Sequence, residues 1–168
     1  MRRLANRLLL LAAVAGTLCG TTACGFTPLY ATPGVAPGLS AIDVEAPEGR
    51  TAYLLRERLD DAFARNRSMP AAFRLAFTYV ERRDPRGLGR DNSASRYELN
   101  LTVDYQLTRV ATGEVVKAGQ HRVLISYDAV DAPYAGLSAQ LDSQERAAAE
   151  AARRIRIDIA EYFAQTAG

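Results

Sequence analysis

The chain has almost none of the side chains on which enzymes and metal sites most often depend. Its 168 residues include one histidine, two cysteines and no tryptophan. A structural zinc site needs about four His or Cys ligands, so the sequence excludes one. General acid–base and nucleophilic catalysis also draw most often on histidine and cysteine. The composition therefore favours a binding protein over an enzyme, and neither a metal nor another cofactor is expected.

The polar groups that remain form no recognisable catalytic pattern. His121 lies in a predicted strand with polar neighbours, which is typical of a solvated or structural histidine. Residues 86–90 read Arg-Gly-Leu-Gly-Arg and lack the Lys-Ser/Thr ending of a phosphate-binding loop. Asp60 and Asp61 are adjacent, but they fall on the charged side of a predicted helix. We therefore predict no enzymatic activity.

Basic and acidic residues nearly balance, which removes a simple electrostatic argument for nucleic acid binding. The sequence has 21 Lys and Arg against 19 Asp and Glu. Arg2, Arg3 and Arg7 lie in an N-terminal segment that we expect to be removed, so the mature chain is slightly acidic. Nucleic-acid-binding domains usually carry a strongly basic face. No nucleic acid partner is predicted.

The first residues have the three-part layout of a bacterial export signal. Residues 1–7 are basic, residues 8–18 form an apolar run, and residues 20–23 are small. The apolar run is shorter than the ~20 residues that a membrane-spanning helix needs. We predict a signal peptide over residues 1–23, with an uncleaved membrane anchor as the alternative.

Cys24 gives this signal peptide a more specific interpretation. Residues 21–24, Thr-Thr-Ala-Cys, resemble the bacterial lipobox, although Thr21 stands where leucine is usual. In a lipobox the cysteine thiol receives a diacylglycerol before cleavage. Cys19 is a weaker candidate because bulky Leu18 precedes it. A lipidated Cys24, carrying several acyl chains such as palmitate, would be stably anchored and would leave no free thiol.

The residues from Cys24 onwards divide into a tether and one domain. Residues 24–38 are rich in proline and glycine, a composition typical of an extended tether. Residues 39–168 have the usual length of a single domain with its own core.

Hydrophobic periodicity predicts an α+β domain. Leu55, Leu59 and Phe63 recur at helical spacing, which predicts an amphipathic helix within residues 51–67. Alternating apolar residues predict strands at 39–44, 73–79, 97–108 and 115–127. A second helix is predicted over 137–164. The element order is then β-α-β-β-β-α, with two helices packed on one face of a four-stranded, largely antiparallel sheet.

Two of these segments carry contrasting signals. In residues 97–108, apolar residues at odd positions alternate with polar residues at even positions, which predicts a strand with one buried and one solvated face. The last segment is less uniform, since residues 155–159 alternate as in a strand. Residues 147–152 are almost all Ala and Glu, the best helix formers, so we predict a helix throughout.

Basic residues concentrate between the second and third predicted strands. We predict a long polar loop over residues 81–96, and loops of that length are often functional or disordered. The planar guanidinium fork of arginine suits phosphate and carboxylate oxygens. The candidate anion-binding residues are Arg82, Arg83, Arg86, Arg90 and Arg96. The alternative is a solvated loop whose arginines offset nearby carboxylates, and in that case Lys117, Arg122 and the turn at 108–114 become the next candidates.

The mature chain starts with a distinctive segment, since residues 24–30 read Cys-Gly-Phe-Thr-Pro-Leu-Tyr. This segment resembles the first mature residues of the LptE family of lipopolysaccharide-assembly lipoproteins. The predicted element order is also similar to the helices and four-stranded sheet of that family.

The resemblance implies a function in lipopolysaccharide transport. LptE is anchored by lipid at the periplasmic side of the outer membrane, fills the lumen of the LptD β-barrel, supports barrel assembly and binds lipopolysaccharide. Gly25 fits an outer-membrane destination, since inner-membrane retention favours Asp after the lipidated cysteine. The arginines of residues 82–96 remain lipopolysaccharide-binding candidates on chemical grounds alone. The alternatives are an accessory lipoprotein of a transporter that binds a protein partner but no lipopolysaccharide, and a periplasmic enzyme.

Overall fold

The computed structural model describes residue 29 and residues 32–88, 94–129 and 133–166. In chain order the elements in these ranges are α1 Val35–Ser40, β1 Ile42–Glu45, α2 Arg50–Phe63, β2 Phe73–Leu88, β3 Ala94–Arg109, β4 Val115–Asp128 and α3 Pro133–Thr166. The predicted α+β class is confirmed, and Cys24 and Arg90 lie outside the described residues.

The sheet has the simple order β1-β2-β3-β4. The short strand β1 runs parallel to β2 and is joined to it through α2, as a parallel pair requires a crossover connection. The β2–β3 and β3–β4 pairs are antiparallel. The sheet is therefore largely antiparallel, as predicted.

One face of the sheet is buried beneath α2 and α3. The odd-numbered residues of β3 supply the centre of the core, and Leu99, Leu101, Val103 and Leu107 are each 0% exposed. Fully burying an aliphatic side chain of this size contributes roughly 1.5–3 kcal/mol. The even-numbered residues of β3 face the opposite side of the sheet, so the alternation seen in the sequence is the alternation of the fold.

α3 is one continuous helix of 34 residues. The apolar stripe of this helix is buried: Ala148, Ala152, Ile155, Ile159 and Phe163 all belong to the core. The alternating pattern at residues 155–159 does not mark a strand, because these residues lie within the helix. Among the described residues, no helix is both long enough and apolar enough to cross a bilayer.

The N-terminal part of the domain differs from the prediction. Residues 35–38, which we assigned to the tether, are helical in α1, and the first strand begins at Ile42 rather than at residue 39. Val35 is 0% exposed, and a Cβ added at Gly38 would lie 2.8 Å from the ring of Phe163. The helical turn that contains Gly38 thus packs against the ring of Phe163, a tertiary contact that composition does not reveal.

The first predicted helix is also shorter than expected. α2 ends at Phe63 rather than near residue 67, because Ala64 adopts the left-handed conformation with φ of 50°. Arg65 then turns back, and its guanidinium Nη2 donates to the carbonyl oxygen of Met69 at 3.2 Å.

The prediction of a long loop over residues 81–96 is wrong. β2 continues to Leu88 and β3 starts at Ala94, so most of that segment is a β-hairpin. The sequence misleads because polar residues here occupy both faces of the strand. On the helix-covered face, the Glu81 carboxylate accepts hydrogen bonds from Thr51 Oγ1 of α2 and from Gln144 Nε2 of α3. The helices supply polar partners, so the strand needs no apolar side chain at that position.

Candidate functional site

The face of the sheet away from the helices carries rows of polar side chains. It is formed by the even-numbered residues of β2, β3 and β4, because successive side chains in a strand alternate between faces. Two rows at its centre follow from the register. Arg82 pairs with Asn100, which pairs with Leu124, and Val80 pairs with Thr102, which pairs with Arg122.

Among the residues that the structure describes, Arg82 and Arg122 are the cations of this face without a polar partner. Arg82 projects from β2 opposite Asn100, and Arg122 projects from β4 opposite Thr102, so the two arginines lie on either side of β3. Both side chains are exposed. Neither guanidinium makes a hydrogen bond or ion pair with another residue in the described ranges. An anion with several oxygens could therefore approach both without displacing a carboxylate.

A depression of about 320 Å³ lies between the two arginines. It is lined by Val80, Arg82, Asn100, Thr102, Asp104, Gln120 and Arg122. Within the part of the chain that the structure describes, Asn100 Oδ1 is buried without a hydrogen-bond partner. The depression thus offers two guanidinium groups for anionic oxygens.

A second depression, of about 340 Å³, continues along the same face. Asp104 lines both depressions, and the small residues Ala76 and Ala118 form part of the second. Asp104 Oδ1 accepts a hydrogen bond from Gln120 Nε2 at 2.6 Å. We call the two depressions together the sheet-face trough. It has cations at one end and small, uncharged side chains at the other.

The structure separates the arginines that the sequence placed in one loop. Arg86 and Arg96 lie on the same face as Arg82 but are paired with carboxylates. Arg86 Nη2 is 2.8 Å from Glu98 Oε1, and Arg96 Nη2 is 3.1 Å from Asp128 Oδ1. The hydrogen bond and charge of Glu98 raise the pKa of Arg86 above its usual value.

Arg83 lies on the opposite face from Arg82. Its Nη1 donates to Gln140 Oε1 of α3 at 2.9 Å, and its guanidinium carbon lies 4.7 Å from the ring centroid of Tyr97. Arg83 therefore serves the contact between sheet and helix. The strand register cannot be read from the sequence. It places Arg122, and not Arg83, on the same sheet face as Arg82.

His121 belongs to a small polar cluster beneath α3. Asp158 Oδ2 accepts a hydrogen bond from Tyr105 Oη at 2.7 Å and lies 2.9 Å from His121 Nε2. The Tyr105 and His121 rings stack at 5.9 Å between centroids. Burial, followed by the hydrogen bond and charge of Asp158, raises the pKa of Tyr105, so its hydroxyl stays protonated and acts as a donor. The cluster joins helix to sheet, as expected for a structural histidine.

The fold defines a class of protein: a small α+β domain in which two helices cover one sheet face and no described helix covers the other. The family model for LptE, lipopolysaccharide-assembly, matches residues 39–165. The chain belongs to the LptE family.

Solved structures agree with this assignment. A lipoprotein from Caulobacter crescentus CB15 shares 48% identity, covers 79% of this chain and 97% of its own, and superposes with a TM-score of 0.69. Lipoprotein B from Nitrosomonas europaea, at 14% identity and a TM-score of 0.55, covers 76% of this chain and 84% of its own. Rare lipoprotein B from Shewanella oneidensis, at 19% identity and a TM-score of 0.50, covers 76% and 97%. The last two are similar in fold alone. No curated protein sequence matches the chain.

Proposed function

We propose that this chain is an outer-membrane lipoprotein that binds lipopolysaccharide and supports the assembly of an LptD-type β-barrel. The observation that carries the proposal is the pair of unpartnered arginines, Arg82 and Arg122, on the sheet face that no described helix covers. Because the chain belongs to the LptE family, we take lipopolysaccharide as the anionic ligand of this pair. The protein acts by binding and not by catalysis.

The chemistry of the sheet-face trough suits the polar part of lipopolysaccharide. Phosphate oxygens accept charge-assisted hydrogen bonds from guanidinium groups, which here lie on either side of the depression. Arg86 and Arg96 contribute less, because each already pairs with a carboxylate.

The same proposal includes the membrane anchor. Cys24 is the lipidated residue, and Gly25 behind it directs the protein to the periplasmic side of the outer membrane. Residues 24–34 then form the connection between the lipid and α1, a little shorter than the tether that we first predicted. A polar sheet face that remains free of helices suits the water-filled lumen of a barrel.

A binding measurement on the mature chain tests the lipopolysaccharide site. The Cys24→Ser change removes the anchor and gives a form that can be measured in solution. The Arg82→Gln/Arg122→Gln double variant should bind lipopolysaccharide more weakly at low salt. Each exposed ionic contact contributes about 0.2–1 kcal/mol, so the dissociation constant should rise about 2- to 30-fold. Higher ionic strength should reduce the difference.

The matched control is the Arg56→Gln/Arg58→Gln double variant on α2. It removes the same charge from a helix that packs on the other side of the sheet, and its affinity should equal that of the parent. Equal affinities for the Arg82/Arg122 variant and the parent at low salt would refute the site. If the barrel co-purifies but lipopolysaccharide does not bind at all, the accessory-lipoprotein alternative holds.

A further inference from the structure

The hydrogen-bond pattern identifies which backbone groups of β4 face away from the sheet. Ala129 N–H donates to Ser95 C=O at 3.0 Å, and the β3–β4 register continues in the same phase to residue 117. Residues of an antiparallel strand turn their backbone groups alternately toward and away from the neighbouring strand. Odd-numbered residues of β4 therefore bond to β3, while Gln120, Leu124 and Ser126 direct N–H and C=O outward. All three are exposed.

The two edges of the sheet are protected very differently. At the β2 edge, β1 covers Phe73–Ala76, and further along Pro85 has no N–H to offer. The β4 edge contains no proline and runs for 14 residues, more than twice the usual strand length. Proteins commonly blunt long edges because such edges pair with other chains. Apart from a bulge opposite Thr108, no proline interrupts β4 and no described strand covers it, and this points to a use for that edge.

The side chain of Arg154 caps a backbone group in the middle of the β4 edge. Arg154 of α3 donates from Nη1 to the outward carbonyl oxygen of Arg122 at 2.8 Å. Arg154 is held in turn by Glu150, whose Oε1 lies 2.7 Å from Arg154 Nε. The Arg154 side chain is 41% exposed, so a strand arriving at the edge can displace it without disturbing the core.

The charges at this edge select the kind of partner. Arg122 lies on the free face of β4, and Arg154 reaches the same carbonyl from the helix side. A second copy of this chain, paired about the middle of β4, would bring like charges together on both faces. An extended segment that carries carboxylates would meet opposite charges instead.

We infer that the outer edge of β4 binds an extended, carboxylate-bearing segment of the partner barrel, which joins the sheet as a fifth strand. The inference rests on the proposed barrel partnership. The segment belongs to a loop or terminus of the barrel protein, because strands in a closed wall have no free edge. Main-chain hydrogen bonds at alternate residues provide the contact.

Two substitutions of Leu124 distinguish the contribution of its backbone N–H to barrel binding from that of its side chain. Leu124→Pro removes an outward N–H and leaves the hydrogen bonds to β3 in place, while Leu124→Ala removes the side chain and keeps that N–H. In full-length protein co-expressed with the barrel, Leu124→Ala should recover as much barrel as the parent. Leu124→Pro should recover about tenfold less.

Amide hydrogen exchange provides a second measurement that needs no variant. In the purified wild-type complex, exchange at the outward amides of Gln120, Leu124 and Ser126 should slow relative to the free protein, while the amides facing β3 should change little. If Leu124→Pro does not fold, this exchange pattern tests by itself whether the β4 edge binds the barrel.

Each remaining outcome has a definite meaning. Equal recovery of barrel by a folded Leu124→Pro and by Leu124→Ala overturns the edge proposal alone, as does unchanged exchange at the outward amides. Cross-linking of β4 to β4 of another copy would identify the occupant as a second chain and also overturn it. A wild-type protein that recovers no barrel overturns both the edge proposal and the proposed function.

Discussion

Replacing Glu81 with alanine should destabilise the domain although Glu81 is a polar residue on a strand. Its carboxylate accepts hydrogen bonds from Thr51 Oγ1 and from Gln144 Nε2, at 2.8 Å for the latter. Thr51 is 2% and Gln144 9% exposed, so Glu81→Ala leaves two buried donors without their partner. An unsatisfied buried polar group costs about 1–3 kcal/mol. The free energy of unfolding should therefore fall by about 2–5 kcal/mol, a little less than twice the maximum cost because Gln144 keeps some contact with water.

Thermal and urea denaturation of the mature Cys24→Ser chain measure this loss. The melting temperature should drop by roughly 8–20 °C, at about 4 °C per kcal/mol for a domain of this length. Glu81→Gln is the matched control. Its amide oxygen can accept from Thr51, and its amide nitrogen can donate to Gln144 Oε1, a buried atom without a partner in the described ranges. The control should lose much less stability, and an alanine variant as stable as the parent would refute the reasoning.

Three further predictions follow from other contacts. Gly119→Ala should cost about 1–3 kcal/mol of stability in denaturation experiments, because the new Cβ would lie 2.6 Å from Tyr105 Oη; unchanged stability would contradict this close approach. Hydrogen bonds from Arg153 and Arg154 lower the pKa of Glu150 to about 2, so its stabilising effect is present above pH 4.5 and is lost as the pH falls toward 2. Glu150→Gln should lose less stability than the parent over that range, and parallel pH profiles would argue against the effect. Mass spectrometry of the mature N-terminus should find a diacylglyceryl group on Cys24, and an unmodified thiol would rule out the anchor.

The sequence predicted the elements whose two faces differ most in polarity. β3 and α3 were predicted because alternation or helical spacing survives along most of their length. The outer part of β2 was missed because Glu81 and Arg83 occupy the helix-covered face and are satisfied there by Gln144 and Gln140. α1 was missed because its burial depends on a contact with the distant Phe163.

The candidate site was predicted only in part. Arginine chemistry drew attention to Arg82, and Arg122 was named as a secondary candidate; that either binds lipopolysaccharide stays a prediction. Which arginines share a face depends on strand register, and which of them are free depends on where Glu98 and Asp128 lie across the strands. Neither property can be obtained from the spacing of arginines along one segment.

The position of β1 gives the domain a mechanical polarity. Any tension applied to the N-terminus enters through α1 and β1, and β1 holds to β2 over only the four residue pairs from Ile42 to Glu45. β2, β3 and β4 hold one another over much longer registers, and α3 packs across them. Under load we expect the short N-terminal segment to detach first. Its detachment would lengthen the connection to the N-terminus, while the sheet formed by β2, β3 and β4 keeps its shape, together with its trough and its outer edge. The shortest strand pairing of the sheet thus lies on the side from which the domain would be pulled.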